Sequence, residues 1–514
     1  MSRGVVAGGH PATAEAGAWA MREGGNAVDA AIAAVLASLT AESPLTGLGA
    51  GGYMLVYEPE GEAVLLDFFV AAPGLGPDRR RSELVPLDID FGGVTQVFNV
   101  GGASCGVPGV PSGLAEAARR FGSMPLANLV RPGVELARAG LELNLQQAHL
   151  LKILAPVLER EPEGAAIYAS NGATLTAGER IAFPELADTL ERFGRDGPEA
   201  FYRGDVADAL VTRVQEAGGS LSMEDLAAYE TIGREPLGAT FRGREILTNP
   251  PPSSGGILIA FALRLIERLD GGTEELVAVM EEAQKARTRE FHAGLYEEGF
   301  ADRFLTPAAV AASEDRCRAL ARGEGGGQGE GPLGSTTHIT AVDGEGGCAS
   351  VTCSNGSGSG LFASGTGIQI NNMLGEADLN PFGFHATAPG ARLPSMMAPT
   401  VVIGEHGLEL GLGSGGSNRI RSAITQTIVR LLAEGVDVAA AVEAPRLHYE
   451  EGIVHAEPGI DPAALERLEA RGFEVTRWPE LNLFFGGAHA VGRQADGTLR
   501  GGADPRRGGA VAVA

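Results

Sequence analysis

Gly334-Ser335-Thr336-Thr337-His338-Ile339 follows the glycine-rich run 323–331 and opens an alternating segment, 336–342, that predicts a β-strand. A hydroxyl residue between such a tether and a strand is where a chain can cut itself and expose a threonine as a new N-terminus. The freed α-amine of Thr336, with a reference pKa of roughly 7.7 to 8.0, can take the proton of its own hydroxyl, so that one residue supplies nucleophile and base. The alternative is a linker that runs into an ordinary threonine-rich strand.

Composition allows an enzyme and argues against several other classes. The chain has 514 residues, 44% of them hydrophobic, and can bury one large core or two to three smaller ones. Its net charge of −25 argues against nucleic acid and anionic membranes as partners, because phosphate binding depends on clustered Lys and Arg. The only lysines are Lys152 and Lys285, and neither lies in a Walker-type loop, which excludes P-loop chemistry and disfavours a Schiff-base lysine.

No apolar run reaches the roughly 18 to 20 residues of a membrane span. The first ten residues lack the apolar core of a secretion signal, so we expect a cytoplasmic protein. The 4 cysteines show no repeated CxxC spacing, which favours buried thiols over a metal site. We therefore expect neither a metal nor a cofactor.

Helical patterns dominate the first portion of the chain and strand patterns the second. Residues 12–39 predict two packed helices, broken at Gly24-Gly25 and restarted by Asn26 as an N-cap with Asp29 three residues later. Residues 53–57 and 63–68 predict a hairpin. Further helices are predicted at 126–141, 145–160, 184–193, 206–218, 257–269, 273–298 and 418–434, and further strands at 337–342, 348–353, 367–371, 400–403 and 408–412. We expect both portions to share one core.

Two segments match the dinucleotide fingerprint GxGxxG. The loop 47–52 follows a helix and precedes a strand, which reverses the required order, and 411–416 is not followed by a second strand that ends in an acid. Nucleotide binding is therefore disfavoured. Gly415-Gly416-Ser417 nevertheless presents backbone N–H groups at the start of a predicted helix, where an anion such as a reaction oxyanion is stabilised. The alternative for this segment is a tight turn before a surface helix.

The chain resembles the gamma-glutamyltransferase family, also called glutathione hydrolases, over nearly its whole length. The resemblance implies an α+β fold, the N-terminal nucleophile hydrolase αββα four-layer sandwich, and a precursor that cuts itself between Ser335 and Thr336. Large and small subunits, 1–335 and 336–514, then form one intertwined domain. The matching segments are His10-Pro11 with Glu15-Ala16-Gly17, Gly24 to Ala31, Gly47 to Gly52, Pro250 to Gly256, Thr336-Thr337-His338, Gly365 to Ile368 with Asn371-Asn372, Gly415-Gly416-Ser417 and Ala503 to Arg506.

By this resemblance Thr336 is the nucleophile, and Gly415 and Gly416 form the oxyanion hole. In the family a second hydroxyl, about one strand further on, contacts the amine and hydroxyl of the nucleophile. Ser354 occupies that place, with Thr352 as the alternative if the alignment slips by two residues. Acyl transfer then proceeds through a threonyl ester to water or to an amine.

The resemblance also implies residues that hold the acyl group. Asn355 matches a binding asparagine, although residues 355–359 form a shorter loop than in the family. Glu376 or Asp378 lies where the family keeps an acid for the α-amino group of the substrate. Either acid is equally compatible with a solvated loop.

Two departures from the family pattern affect the site that holds the α-carboxylate of the substrate. Phe69 stands where gamma-glutamyl enzymes have an arginine, and Ser395-Met396 stands where they have two serines. A buried carboxylate without a charged partner costs roughly 2 to 5 kcal/mol, so an apolar or neutral acyl group is favoured and glutathione is disfavoured. Arg79-Arg80-Arg81 or Arg392 are candidates for a replacement cation.

The sequence thus predicts a self-processing threonine amidohydrolase or acyltransferase with an altered acyl pocket, which acts on a small-molecule amide. A second interpretation retains gamma-glutamyl specificity, with glutamate held by other residues. A third, from another class, is an unprocessed protein that binds a small molecule without turnover.

Overall fold

The structure is a computed structural model that describes residues 3–77, 82–90, 95–269, 271–321 and 336–514. Ser335, the glycine-rich run 323–331 and Arg79-Arg80-Arg81 lie outside the described residues. The α-helices are α1 (Pro11–Arg22), α2 (Ala27–Ala41), α3 (Val110–Phe121), α4 (Leu126–Leu129), α5 (Arg131–Ala139), α6 (Leu145–Leu158), α7 (Pro162–Tyr168), α8 (Pro184–Asp196), α9 (Glu199–Arg203), α10 (Asp205–Glu216), α11 (Met223–Ala227), α12 (Gly255–Ile266), α13 (Thr273–Lys285), α14 (Arg289–Gly294), α15 (Phe300–Phe304), α16 (Pro307–Ala321), α17 (Arg419–Leu432), α18 (Val438–Glu443) and α19 (Pro462–Ala470).

Strands occur along the whole chain and are denser after Thr336. The β-strands are β1 (Gly4–Gly8), β2 (Gly51–Tyr57), β3 (Val64–Phe68), β4 (Val85–Asp90), β5 (Thr95–Val100), β6 (Leu141–Glu142), β7 (Ala169–Ser170), β8 (Ala173–Thr174), β9 (Arg180–Ile181), β10 (Ile232–Arg234), β11 (Leu237–Phe241), β12 (Arg244–Thr248), β13 (Thr337–Asp343), β14 (Cys348–Ser354), β15 (Phe362–Ala363), β16 (Ile368–Gln369), β17 (Thr400–Gly404), β18 (Gly407–Gly415), β19 (Leu447–Glu450), β20 (Ile453–Ala456), β21 (Glu474–Arg477), β22 (Gly487–Arg493), β23 (Leu499–Ala503) and β24 (Ala510–Val513). Short 3₁₀ helices lie at Gly102–Ser104, Met373–Gly375, Ala377–Leu379, Leu483–Phe485 and Pro505–Arg507.

Two antiparallel sheets organise the molecule. The larger has seven strands in the order β10-β3-β2-β14-β13-β1-β24, and the smaller has six in the order β11-β12-β17-β18-β22-β23. Both sheets therefore combine strands from before and after Thr336. The larger sheet places β13, which begins directly after Thr336, between β14 and β1.

The sheets contact each other, and helices cover their other faces. Strands β13 and β14 contact β18, whereas α1 and α2 pack on the larger sheet and α12 and α17 on the smaller. Strand β1 shows why: Val6 packs with the buried residues of α1 and α2, while Val5 and Ala7 on its other face join the cluster shared with α12 and α17. The predicted α+β class is confirmed.

Local signals in the sequence agree with the observed elements at several points. Asn26 caps α2, its side chain accepting from the N–H groups of Val28 and Asp29, as predicted. The predicted hairpin is β2 and β3, which pair antiparallel. The helix expected at 126–141 is instead α4 and α5, in agreement with Pro132 near the start of α5. The helix expected at 273–298 stops at Lys285 and restarts with Thr288 as the N-cap of α14.

Among the described residues, no helix has the length and apolar character needed to cross a membrane. The same residues contain no group of three or more His, Cys, Asp and Glu side chains arranged to hold a metal ion. All four cysteines are free and buried.

Candidate active site

Thr336 is held from two sides at the point where β13 begins. Its main-chain oxygen accepts a hydrogen bond from Nη1 of Arg507 at 2.8 Å. A Cβ added at Gly415 would lie only 2.1 Å from the same oxygen, so a glycine is required there for the two backbones to approach. Thr336 itself is 4% exposed. The residue is therefore fixed in position and nearly excluded from bulk solvent.

A buried acid anchors the neighbouring residue. The Thr337 hydroxyl donates to Glu42, and the Thr13 hydroxyl donates to Oε1 of the same carboxyl group at 2.7 Å. Burial raises the pKa of Glu42, while these hydroxyls and the charge of Arg507 act in the opposite direction. The start of β13 is thus tied both to the end of α2 and to the C-terminal segment.

His338 belongs to the core between the sheets. Its Nδ1 and Nε2 lie 2.8 and 2.9 Å from the hydroxyls of Thr352 and Thr340. Burial lowers the pKa of His338 well below its usual value, so the ring is neutral. Thr352 is engaged by this histidine, whereas Ser354, two residues further along β14, faces the cavity beside Thr336. Of the two hydroxyls considered from the sequence, the structure brings Ser354 to Thr336.

A cavity of about 30 Å³ opens beside Thr336. Seven residues singled out in the sequence meet here, together with residues that were not. The described lining consists of Phe69, Thr336, Ser354, Gly356, Met373, Glu376, Asp378, Leu379, Ser395, Met396, Met397, Ser417 and Ile420.

Asn355 is a sequence-predicted binding residue that does not line this cavity. It is fully buried, and its Nδ2 lies 3.4 Å from Oε1 of Gln369. Its backbone N–H donates to the carbonyl of Leu45, and its own carbonyl accepts from Asn372. The residue therefore contacts the surrounding loops instead of the space beside Thr336.

Glu376 and Asp378 both face the cavity and carry unpaired oxygens. Among the described residues, Oε1 of Glu376 and Oδ1 of Asp378 have no hydrogen-bond partner, while Oδ2 of Asp378 accepts from the Ser417 hydroxyl at 3.0 Å. Burial, followed by the charge of Asp378, raises the pKa of Glu376 to about 8. Burial also raises the pKa of Asp378, against the opposing effect of Arg287. Two acids therefore stand close together in a poorly hydrated site.

The opposite wall of the cavity is apolar. Phe69 is fully buried and stacks on Tyr53 with ring centroids 5.3 Å apart. The Met396 sulfur lies 3.4 Å from the Ser254 hydroxyl, and Oγ of Ser395 accepts from the N–H of Met397 at 3.0 Å. No arginine or lysine is found in the described lining.

Arg392, a candidate replacement cation, lies outside this lining. Its Nε is 3.3 Å from Oδ1 of Asp67, and its guanidinium lies 4.3 Å from the centroid of the Tyr229 ring. Asp67 is also paired with Arg234 at 2.7 Å. The acid that precedes Phe68-Phe69 thus pairs with Arg392, which is absent from the described lining of the cavity.

The turn after β18 completes the surroundings of Thr336. Gly416 has φ +119° and Ser417 has φ +52°, and α17 begins two residues later. A Cβ at Gly416 would lie 2.8 Å from the Cα of Gly486, so both space and backbone angle favour glycine. The predicted oxyanion segment is therefore a strained turn between a strand and a helix N-terminus, next to Thr336.

Two residues near Thr336 were missed in the sequence. Arg507 follows directly on the matched segment that ends at Arg506, and a second consecutive arginine was the available signal. Nothing in the local sequence distinguishes Glu42. Both also line a second, larger cavity of about 470 Å³. That cavity contains neither Thr336 nor Ser354 in its described lining, and the smaller one is therefore the candidate active site.

Comparison with known proteins agrees with this arrangement. Residues 13–514 match the family model described as gamma-glutamyltranspeptidase. The chain belongs to the gamma-glutamyltranspeptidase family. Among its relatives in this family, "Acylase ACY 1 proenzyme" of Pseudomonas sp. (strain V22) is 33% identical, over 98% of this chain and 92% of the relative. "Glutathione hydrolase proenzyme" of Escherichia coli (strain K12) is 30% identical, over 98% of this chain and 90% of the relative.

A solved structure supports the fold independently of these sequence matches. Cephalosporin acylase from Bacillus halodurans superposes with a TM-score of 0.84, covering 99% of this chain and 96% of that chain at 24% identity. At this identity the similarity concerns the fold. The chain is therefore an enzyme of the gamma-glutamyltranspeptidase family, a family of amide hydrolases and transferases.

Proposed function

We propose that this chain is a self-processing threonine amidohydrolase or acyltransferase whose acyl pocket differs from that of gamma-glutamyl enzymes. The observation that carries the proposal is the fixed, buried position of Thr336 beside Ser354 and a cavity lined by acids and apolar side chains. The names of both relatives above include the word proenzyme, which supports a precursor. In this proposal the two contacting sheets with their outer helices form the N-terminal nucleophile hydrolase αββα four-layer sandwich.

Processing is proposed to break the bond between Ser335 and Thr336. The Thr336 hydroxyl attacks the Ser335 carbonyl, the acyl group moves from nitrogen to oxygen, and water hydrolyses the resulting ester. The α-amine of Thr336 is then free, and its reference pKa of roughly 7.7 to 8.0 suits a base at neutral pH. The products are residues 1–335 and 336–514, held together by the sheets they share.

Turnover is proposed to use the same hydroxyl. Thr336 attacks the amide carbonyl of the substrate, its α-amine takes the hydroxyl proton and passes it to the leaving amine, and a threonyl ester remains. Water or an acceptor amine then attacks the ester and releases the acyl group. The developing oxyanion is placed at the N–H groups of Gly415 and Gly416, and Ser354 positions the nucleophile by hydrogen bonding.

The substrate-binding part of the proposal assigns the lining residues to the acyl group. Glu376, Asp378 and Ser395 supply the polar contacts, and Phe69 and Met396 supply the apolar wall. A carboxylate placed against Phe69 and Met396 has no cationic partner in the described lining, and leaving it unpaired is costly. Specificity for gamma-glutamyl groups is therefore expected to be reduced.

Two observations support a gamma-glutamyl hydrolase as the second candidate. Glu376 and Asp378 both face the cavity, and a relative at 30% identity is named a glutathione hydrolase. Hydrolysis of a gamma-glutamyl anilide at rates typical of a dedicated enzyme would favour this candidate over the first.

Intact mass spectrometry tests the processing step. Purified protein is expected to consist of two fragments that meet at Ser335 and Thr336, and Thr336→Ala is expected to remain a single chain without turnover. A parent protein that stays full length after long incubation, with no amidase activity, would support the alternative of a non-catalytic binding protein.

A further inference from the structure

We propose that the acyl pocket is specific for a short acyl group that carries a primary ammonium and no carboxylate, of the 4-aminobutyryl type. This inference rests on the function proposed above and names the substrate class for the same cavity. It follows from the unpaired acidic oxygens and the apolar wall of the described lining.

The acidic side of the pocket lacks a cation. Glu376 is 7% exposed, and neither it nor Asp378 forms an ion pair with a described arginine or lysine. One oxygen of each carboxyl group is buried, faces the cavity side chains and has no hydrogen-bond partner among the described residues. Buried polar atoms are rarely left unpaired, so these oxygens point to a ligand that donates hydrogen bonds. A primary ammonium has three donors and a charge of the required sign.

Three arginines act on Asp378 through their charge, and none of them forms an ion pair with it among the described residues. Arg287 and Arg419 oppose the rise in the pKa of Asp378, whereas Glu450 adds to that rise, and Arg421 is a third positive neighbour. Arg419 and Glu450 form an ion pair of their own, 3.5 Å apart. An ammonium group would therefore be bound by direct hydrogen bonds to the two unpaired oxygens, not by an excess of negative charge.

The opposite side of the pocket excludes a carboxylate. Phe69 and Met396 present a ring and a thioether, and Arg392 is paired with Asp67 and absent from the described lining. A gamma-glutamyl group carries both an ammonium and a carboxylate, so only half of it is matched. Its decarboxylated counterpart, the 4-aminobutyryl group, leaves no charge unpaired.

Four anilides whose acyl chains have similar length separate the effect of the acyl group's charge from the effect of its size. The 4-aminobutyryl anilide carries the ammonium, pentanoyl is its neutral isostere, glutaryl carries a carboxylate instead, and gamma-glutamyl carries both groups. With the processed enzyme, kcat/KM for the 4-aminobutyryl anilide is expected to exceed that for each of the others by on the order of tenfold to a hundredfold. A higher value for pentanoyl, glutaryl or gamma-glutamyl overturns the inference, as does a processed enzyme that turns over none of the four.

Substitutions test whether the two acids cause the preference. Glu376→Gln and Asp378→Asn are each expected to reduce the 4-aminobutyryl to pentanoyl ratio of kcat/KM by about tenfold or more. Glu405→Gln, at an exposed turn between β17 and β18, is the matched control and is expected to keep the parent ratio. An unchanged ratio in both pocket variants overturns the inference.

Failure of the underlying function gives a different result. If the purified chain is not cut at Thr336 and hydrolyses no anilide, the proposed function itself is refuted. If the chain is cut and hydrolyses another anilide best, only the substrate class is refuted.

Discussion

Replacing Arg507 with methionine tests whether the carbonyl of Thr336 must be held for catalysis. The change removes the 2.8 Å hydrogen bond to that oxygen and keeps an unbranched stem that can pack near Gly487. Asp504, a charged neighbour, stays paired with Arg446 at 2.6 Å and with Arg506 at 3.1 Å. The variant removes the positive charge that acts on buried Glu42, which keeps the hydroxyls of Thr13 and Thr337 as hydrogen-bond donors.

The expected magnitude follows from the type of bond. A hydrogen bond with a charged donor contributes about 1.5 to 3 kcal/mol, and each 1.36 kcal/mol of activation free energy changes a rate about tenfold. If the bond serves mainly to keep the Thr336 hydroxyl aligned for attack, kcat falls by about 10- to 100-fold. KM is expected to stay within about twofold, because Arg507 is absent from the described lining of the acyl cavity.

Steady-state kinetics on processed protein, with thermal unfolding measured in parallel, provide the assay. Arg507→Lys is expected to recover part of kcat, since it restores a charged donor without the planar fork of arginine. Arg500→Met, an exposed arginine on β23, is the control for charge alone. A kcat for Arg507→Met within twofold of the parent, or a change confined to KM, would refute the positioning role.

Three further outcomes are expected. Ser354→Ala should give a processed but slower enzyme, with a loss of about 0.5 to 1.5 kcal/mol for one neutral hydrogen bond; a parent-like kcat contradicts this. Phe69→Arg with Met396→Ser should raise the gamma-glutamyl to pentanoyl ratio of kcat/KM, and an unchanged ratio shows that these positions do not set specificity. Burial lowers the pKa of His338 well below 6.5 and that of His489 to about 4. Below about pH 6.5 these two histidines therefore bind protons in the unfolded state before they do so in the folded state. The contribution of these histidines to the free energy of unfolding is therefore fully present above about pH 6.5. It falls towards pH 4 by up to about 1.4 kcal/mol per pH unit for each histidine. Urea unfolding at pH 7.5 and at pH 5 measures this difference.

Elements with local signals could be predicted from the sequence. Asn26 specifies the start of α2 through its own side chain, and the alternation in 53–57 and 63–68 specifies a hairpin. The pairing of β1 with β13 and β24 depends on contacts between residues more than 300 positions apart, and no local pattern encodes it. The strand expected at 367–371 is only Ile368–Gln369, because glycine-rich loops surround it.

The candidate site likewise contains residues that the sequence marks and residues that only tertiary folding brings together. Thr336 was predicted because a matching motif marks it, and Ser354, with Thr352 as the alternative, because it lies about one strand further on; the structure brings Thr336 and Ser354 to one cavity. Arg507 and Glu42 reach Thr336 and Thr337 from distant segments through tertiary folding, so their roles could not be derived from neighbouring residues. Asn355 matched by position, yet the short loop that follows turns its side chain towards Gln369.

Both sheets combine strands from before and after Thr336, and this affects how the enzyme, once cut as proposed, responds to denaturation. Before the cut, folding is unimolecular and does not depend on protein concentration. After it, the chains meet along β2–β14, β1–β13, β1–β24 and β12–β17, and reassembly becomes a bimolecular reaction between two incomplete sheets. Stability then gains a dependence on concentration, and the exposed edge strands of each fragment favour aggregation over recovery. The mature enzyme would persist through slow unfolding, and a molecule that unfolds after the cut would seldom be regained.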